Sequence, residues 1–416
     1  MELKVLHFTP HLPSDEGLAT FLDDILTLMS EQVETHLALL SPMSESDNGY
    51  TIHCIGSGKP NYGSNGMVNL LALQKRYLKL LYELMPDIVH IHGSYHYLNS
   101  RIALWSRKRG FPVVFSPYGG MNPEYIENEY GMRTWKMVSY QKSMTAHASA
   151  VLTSDPKESE YIQHEHLTDR VEFVSDPRND EYWGEDNYAH STIALYHKVL
   201  DSDKGLRIDQ KCREALSALL HLSLSGSTER QPLCSEDILN LRSITPNQWR
   251  DIYLFAMEQG VVSNMEEGIA KQQLTIPDIR MDGLHTFEPR QNKDTKPLDT
   301  ILSTTNKMTR RMQENKLHDC DEVTRNTCVM LLNLRQHLHQ GTACLRHLCD
   351  LCAVFRFDKM DEEQLAHHLK QLNLYSFTRR ICQVLHETTY LDEGYMPVPA
   401  LNDRGTADIR KHLMKY

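Results

Sequence analysis

The sequence has no long hydrophobic run, and this absence limits where the protein is expected to work. No apolar stretch in its 416 residues approaches the roughly 20 residues that a transmembrane helix needs. The first residues, Met1 to Lys4, enter a strand-like pattern instead of the charged and apolar blocks of a signal peptide. We therefore expect a cytoplasmic protein without a transmembrane segment.

The sequence also has no excess of basic residues and no sign of a disulfide framework. Lys and Arg number 44 against 55 Asp and Glu, which gives a net charge of -11 and argues against nucleic acid as a partner. The nine cysteines are an odd number scattered along a long chain, and this favours reduced thiols. The composition thus indicates a globular protein long enough for two or three domains.

Strand-like and helix-like segments alternate through residues 1–178. A β-rich run at Lys4–Thr9 is followed by a polar loop that closes on Gly17, and then by apolar residues at helical spacing from Leu18 to Met29. Further strands, with helices between them, are predicted by the same criteria as far as Val171–Ser175. This rhythm predicts an α/β domain with a Rossmann-like parallel sheet.

The most informative of these strands is Pro86–Gly93, because it carries two histidines. Side chains two residues apart in a strand point the same way, so His90 and His92 share one face while Val89 and Ile91 share the other. His92 lies at the carboxyl end of the strand, where open α/β sheets bind ligands. A neutral imidazole there can donate a hydrogen bond to a substrate, although a structural role remains the alternative.

The rest of the chain lacks this alternation and is rich in helical patterns. We expect a helical linker region over residues 179–245 and an all-α domain over residues 246–416. Thr245 is a plausible N-cap for a helix that begins at Pro246, and residues 276–300 read as a long loop. Later helices are predicted at Val323–Gln340, Leu345–Phe355, Glu362–Leu372 and Phe377–Glu387.

The front half resembles the amino-terminal domain of retaining glycosyltransferases of the two-domain GT-B architecture, in particular family 4-like enzymes. The resemblance covers roughly residues 1–178. It depends on the order of four segments: Lys4–Pro10 with the Gly17 loop, Pro86–Gly93, Pro112–Gly120 and Ala148–Ser154. It implies a glycosyltransferase that moves a sugar from a nucleotide-sugar donor to a glycan acceptor, as in cell-surface polysaccharide biosynthesis. The donor is then a substrate, and neither a cofactor nor a metal is implied.

The resemblance also implies roles for particular residues. Gly17 corresponds to the loop glycine that approaches the donor diphosphate, and His92 corresponds to the strand-end histidine, which we predict as the catalytic residue. The substrate-binding residues implied with them are Gly17, His90, Gly93, Tyr118 and Gly119. Tyr118 stands where many relatives carry histidine.

The donor-binding half of such enzymes is not recognisable in this sequence. That half has two glutamates with seven residues between them in a glycine-rich segment. The pairs Glu258 with Glu266 and Glu314 with Glu322 have the spacing without the glycines. Two hypotheses follow: an active transferase whose donor site is completed by the helical domain or a partner protein, or a catalytically inactive relative that binds a glycan, a nucleotide or a partner.

The helical region carries two weaker signals. Gln340–Asp350 and the helices after it are faintly similar to the helical tail of bacterial nucleotidyltransferase-like proteins. Paired ligands on one face of a strand must be two residues apart, whereas the candidate pair Asp278 and Asp282 is four residues apart. Histidines and cysteines also concentrate between His318 and Cys352. We expect no metal there, since cysteines that share an apolar helix face are usually buried thiols.

Overall fold

The computed structural model divides the chain into two units, Met1–Leu200 and Asp201–Tyr416. It describes residues 3–11, 16–41, 49–56, 69–128, 130–178, 184–226, 233–277, 279, 286–287 and 295–414. Asp278, Asp282 and most of the polar stretch at 225–231 lie outside these described residues.

A parallel sheet forms the centre of the first unit. Its strand order is β3-β2-β1-β4-β5-β6-β7, so the order reverses between β1 and β4. Within the described residues the strands are β1 (Lys4–Phe8), β2 (Glu34–Leu39), β3 (Thr51–Cys54), β4 (Ile88–His92), β5 (Val113–Ser116), β6 (Ala150–Thr153) and β7 (Val171–Phe173). Every neighbouring pair is parallel, which confirms the Rossmann-like sheet predicted from the sequence.

Helices connect these strands. They are α1 (Glu16–Ser30), α2 (Leu70–Leu84), α3 (Tyr97–Arg107), α4 (Pro123–Asn128), α5 (Tyr130–Lys136), α6 (Lys142–His147), α7 (Pro156–His164) and α8 (Glu185–Asp201). A π-helical turn at Met137–Gln141 joins α5 to α6. Helix α4 was not predicted from the sequence.

The first unit extends past residue 178, where we expected its domain to end. The reason is α8, which packs against the sheet. Tyr196 of α8 bonds to a histidine of β4, and Lys198 bonds to Glu172 of β7 at 2.8 Å. The sequence pattern of α8 is amphipathic and therefore did not distinguish a linker helix from a helix that covers a sheet.

The two faces of β4 differ as the alternation predicts. Val89 and Ile91 are fully buried in an apolar cluster with Tyr77 of α2 and Ile102 of α3. The histidines of β4 occupy the opposite face. Both faces of a parallel sheet are covered by helices, which explains why a polar pair can be as deeply buried as the valine and isoleucine.

Within its described residues, the regular secondary structure of the second unit consists of helices. Its helices are α9 (Gln210–Leu224), α10 (Ser235–Arg242), α11 (Pro246–Glu258), α12 (Val262–Gln272), α13 (Lys307–Lys316), α14 (Glu322–Gln340), α15 (Leu345–Phe357), α16 (Glu362–Gln371), α17 (Tyr375–Thr389) and α18 (Arg404–Met414). Thr245 forms a capping box with Gln248, so the predicted N-cap is confirmed. The all-α prediction is also confirmed, whereas α10, α12, α13 and α18 were not predicted.

Helices α9 and α12 approach each other closely at Gly268. A methyl group on Gly268 would lie 2.2 Å from the carbonyl oxygen of Leu219, which is far inside van der Waals contact. The two helix backbones therefore meet at a point that accepts no side chain. Leu219 is fully buried, so this contact belongs to the core of the unit.

We predict that Gly268→Ala destabilises the second unit by about 1–3 kcal/mol, because α9 and α12 must separate to admit the methyl group. The measurement is chemical denaturation of the full chain followed by far-UV circular dichroism. Gly394→Ala is the matched control, since a methyl group there meets nothing within 4 Å. A Gly268 variant as stable as this control would contradict the close packing.

Candidate functional site

Three histidines meet on one face of the sheet, at the strands where the strand order reverses. His7 lies on β1 directly opposite His90 on the neighbouring strand β4, and His92 follows two residues later. The ring centroids of His90 and His92 are 4.3 Å apart, and the ring of His7 lies 5.3 Å and 5.2 Å from them. Parallel pairing of two strands therefore produces the cluster.

Each ring nitrogen of the two β4 histidines has a partner within the first unit. His92 Nδ1 lies 2.7 Å from the Tyr118 hydroxyl, and His92 Nε2 lies 2.9 Å from His7 Nδ1. His90 Nδ1 lies 2.6 Å from the Tyr196 hydroxyl, and His90 Nε2 lies 2.8 Å from Ser116 Oγ. The predicted residues His90, His92 and Tyr118 are thus brought together, with Gly93 and Gly119 adjacent in the chain.

Burial keeps the three imidazoles neutral. Removal from water lowers the pKa of each ring, and it lowers the pKa of His92 to about 3. The pKa of His7 and of His90 is lowered further by the neighbouring rings, because two adjacent positive charges would repel. The cluster at neutral pH is therefore a set of hydrogen-bonded, uncharged rings.

Neutrality fixes where the protons of His7 and His92 can be. The short contact between His7 Nδ1 and His92 Nε2 requires one proton between these two nitrogens. A buried N–H group without an acceptor is also rarer than a buried nitrogen lone pair without a donor. Among the described residues His7 Nε2 has no hydrogen-bond partner, so it is best satisfied as the bare nitrogen. We infer that His7 carries its proton on Nδ1 and that His92 donates from Nδ1 to Tyr118.

Tyr118 stands on a strained turn that a buried carboxylate holds in place. Its φ is 53° and that of Gly119 is 75°, both in the left-handed region. Glu158 of α7 is fully buried, and its carboxylate accepts the backbone N–H groups of Gly119 at 3.1 Å and Met121 at 2.7 Å. The position of the Tyr118 hydroxyl therefore depends on a helix that begins only after the next strand, β6.

The remaining predicted residues lie at the edges of this arrangement. Gly93 has a φ of 85°, and its carbonyl accepts a hydrogen bond from Asn99 at 2.7 Å. Gly17 lies on a different element, as the second residue of α1, and is exposed. The loop at residues 12–15 lies outside the described residues.

Four residues of this arrangement were not predicted from the sequence: His7, Tyr196, Ser116 and Glu158. The only available signal for His7 was its place near the end of a strand. A single sequence does not show which residues of two neighbouring strands lie opposite each other. Tyr196 belongs to the helix that we assigned to a linker. Glu158 follows a Pro at the start of α7 and looks like an ordinary first-turn glutamate.

The glutamate pairs and the clustered cysteines noted in the sequence lie in the second unit. Glu258, Glu266, Glu314 and Glu322 lie on four different helices, and Glu258 accepts the backbone N–H groups of Lys204 and Gly205. Within the described residues, only His7, His90 and His92 form a group of three side chains with metal-ligand geometry. Cys344, Cys349 and Cys352 are buried and belong to no disulfide within the described residues.

Comparison with known proteins agrees with the fold of the first unit. Residues 16–179 match the family model described as Glycosyltransferase Family 4. This part of the first unit is therefore similar to Glycosyltransferase Family 4. This confirms the resemblance seen in the sequence and supports a glycosyltransferase-like function. The match ends at residue 179, so the likeness of the helical tail stays a prediction.

A solved structure is also similar to part of the chain. It is the UDP-N-acetylglucosamine 2-epimerase from Rickettsia bellii, at 12% identity and a TM-score of 0.33, over 53% of this chain and 58% of that chain. The chain thus spans less than two thirds of the length of that protein. No curated protein matches the sequence. Among the helices that the structure describes, none combines the length and apolar character needed to cross a bilayer.

We predict that Glu158 makes the first unit less stable as the pH rises. Burial raises the pKa of its carboxyl from 4.5 to about 7, so between these values the folded protein holds a proton that the unfolded chain has lost. The stability that this proton contributes is fully present below about pH 4.5, and it is lost as the pH rises through about 7. The pKa difference corresponds to about 3 kcal/mol.

The measurement is the free energy of unfolding from pH 5 to pH 8, by denaturant titration and tryptophan fluorescence. Glu158→Gln removes the ionisation, so its stability should fall less over this range than that of the unmodified protein. Glu160→Gln changes an exposed glutamate on the same helix and is the matched control. Parallel pH profiles for the unmodified protein and Glu158→Gln would show that the buried carboxyl does not titrate as described.

Proposed function

We propose that this protein transfers a sugar from a nucleotide-sugar donor to a glycan acceptor, with the acceptor at the carboxyl edge of β4 and β5. The observation that supports this is the bonded pair of His92 and Tyr118, which lies inside the Glycosyltransferase Family 4 match. The pair also lies next to the reversal of strand order, where open parallel sheets bind their ligands. The setting we propose is cell-surface polysaccharide or glycan biosynthesis.

Tyr118 is the group that we assign to substrate contact. It is half-buried, and burial raises the pKa of its phenol, so the hydroxyl keeps its proton. Because the hydroxyl oxygen accepts the N–H of His92, its own proton remains available for a second partner. A donor fixed in this way can bond to a sugar hydroxyl without reorganising during the reaction.

His92 is predicted from the sequence as the catalytic residue, and we propose that it acts through Tyr118. Both of its ring nitrogens are engaged, with Tyr118 and with His7, and only 5% of the residue is exposed. His90 in turn supports His92 by ring contact at 4.3 Å. Gly93 and Gly119 then leave the backbone beside Tyr118 open to a bound sugar.

We assign the donor diphosphate to the start of α1. Gly17 is the second residue of this helix, and backbone N–H groups at the positive end of a helix dipole favour anions. A glycine lets phosphate oxygens reach those groups closely. We propose that the helical unit or a partner protein completes the donor site.

A second candidate is a catalytically inactive relative that binds a glycan, a nucleotide or another transferase. The observation that favours it is the second unit, which has helices and no strand in its described residues. The two glutamate pairs with donor-site spacing lie on those helices instead of in glycine-rich turns. A protein of this kind would bind its ligand at the same edge of the sheet without turnover.

We predict that a nucleotide sugar raises the melting temperature of the full chain. A ligand selective for the folded state adds about 2.7 kcal/mol at one hundred times its dissociation constant. The measurement is a thermal shift with a panel of UDP-sugars and GDP-sugars at millimolar concentration, followed by an assay for released nucleotide with and without glycan acceptors. Binding without release would favour the inactive relative, and no shift with any donor would refute sugar transfer by this chain alone.

We predict that Tyr118→Phe lowers turnover at least about tenfold while donor affinity changes little, because one hydrogen bond to the acceptor is lost. The readouts are the rate of nucleotide release and the donor dissociation constant. Tyr82→Phe is the control, since Tyr82 is 55% exposed on α2. Equal rates for Tyr118→Phe and the unmodified protein would remove Tyr118 from the site.

A further inference from the structure

We propose that His7, His90 and His92 bind a divalent transition-metal ion, with Zn²⁺ as the expected ion. One ring nitrogen from each of the three histidines can be chosen so that all lie within 4.8 Å of one another. This inference goes beyond sugar transfer and does not depend on it.

The backbone holds the three rings in place for this purpose. His90 and His92 are two residues apart on β4 and so share a face, and the parallel register sets His7 beside His90. Strands position ligands more rigidly than loops do. The three residues expose only 1%, 2% and 5% of their surface, so the rings are fixed by packing.

The distances suit a small cation. Zinc binds histidine nitrogen at about 2.0–2.1 Å, so nitrogens around a tetrahedral ion are about 3.3 Å apart. One nitrogen from each ring already lies within 4.8 Å of the other two, so the gaps that the ion must close are small.

His7 provides the second, independent observation. Its Nε2 is buried and has no hydrogen-bond partner among the described residues, which is unfavourable for a polar atom. In the tautomers inferred above, both His7 Nε2 and His92 Nε2 carry lone pairs. When a cation binds, the hydrogen bond between His7 and His92 breaks and each ring forms one bond to the metal. Neither ring has to lose a proton.

The oxygens behind the rings support this role. Histidine ligands of metals usually donate their second nitrogen to an oxygen, which holds the ring in orientation. Tyr118 stands behind His92 in this way at 2.7 Å, and Tyr196 stands behind His90 at 2.6 Å. Ser116 Oγ is the group that must release His90 Nε2 when the ion binds.

The donor set selects the kind of metal. Neutral imidazoles suit Zn²⁺, Co²⁺, Ni²⁺ and Cu²⁺, whereas Mg²⁺ and Ca²⁺ require oxygen ligands. No carboxylate belongs to this group among the described residues. Three protein ligands also leave one position of a tetrahedral ion open, as catalytic zinc sites do.

The test is metal binding by the full chain after removal of metals with a chelator. Zn²⁺ should remain at one ion per chain after gel filtration and should raise the melting temperature, whereas Mg²⁺ should do neither. Co²⁺ should give the visible bands of tetrahedral coordination without thiolate charge transfer, which separates this site from the exposed thiols of Cys54 and Cys234. A Co²⁺ spectrum with thiolate charge transfer, or no retained Zn²⁺, would overturn the proposal.

The variants are His7→Leu and His92→Asn, either of which should weaken Zn²⁺ binding at least about 100-fold. The matched control is His53→Leu, because His53 Nε2 lies 3.1 Å from His36 Nδ1 and, among the described residues, this pair belongs to no group of three possible metal ligands. Zn²⁺ affinity that is equal in His7→Leu and His53→Leu would contradict the site. Since no nucleotide sugar enters these measurements, the metal site and the proposed sugar transfer can fail separately.

Discussion

The parallel pairing of β1 with β4 is the constraint on which the site depends. It places His7 opposite His90 and continues along β4 to His92, so three polar rings share a surface that helices cover. A parallel sheet hides both of its faces, and the polar atoms on them must therefore find partners inside the protein. Tyr118, Tyr196 and Ser116 supply those partners, each from a different element.

Burial acts in opposite directions on the two kinds of ionisable group at this edge of the sheet. It lowers the pKa of the histidines, which are then neutral donors and acceptors, and it raises the pKa of the Glu158 carboxyl towards neutrality. The two backbone N–H groups that Glu158 accepts oppose that rise. The turn that carries Tyr118 is therefore held by a group whose charge is costly, which is common near functional sites.

The second unit is built differently from the first in its described residues. Its described residues form helices around one apolar core, and close contacts such as that of Gly268 with Leu219 show that this core is tightly packed. The two glutamate pairs with donor-site spacing lie on helices of this unit. The proposal of sugar transfer therefore includes donor contacts from the helical unit or from a partner protein.

Local patterns in the sequence were sufficient for the parallel sheet, the opposite faces of β4 and the N-cap at Thr245, because each follows from residues that are neighbours along the chain. Pro86–Gly93 already carried two of the three histidines, and His92 does end strand β4. His7, Tyr196 and Glu158 were decided only by the tertiary structure. Strand register and the packing of α7 and α8 join residues far apart in sequence, and such contacts leave no periodic signal. The sequence therefore determined which residues could form a site, and folding determined which of them meet.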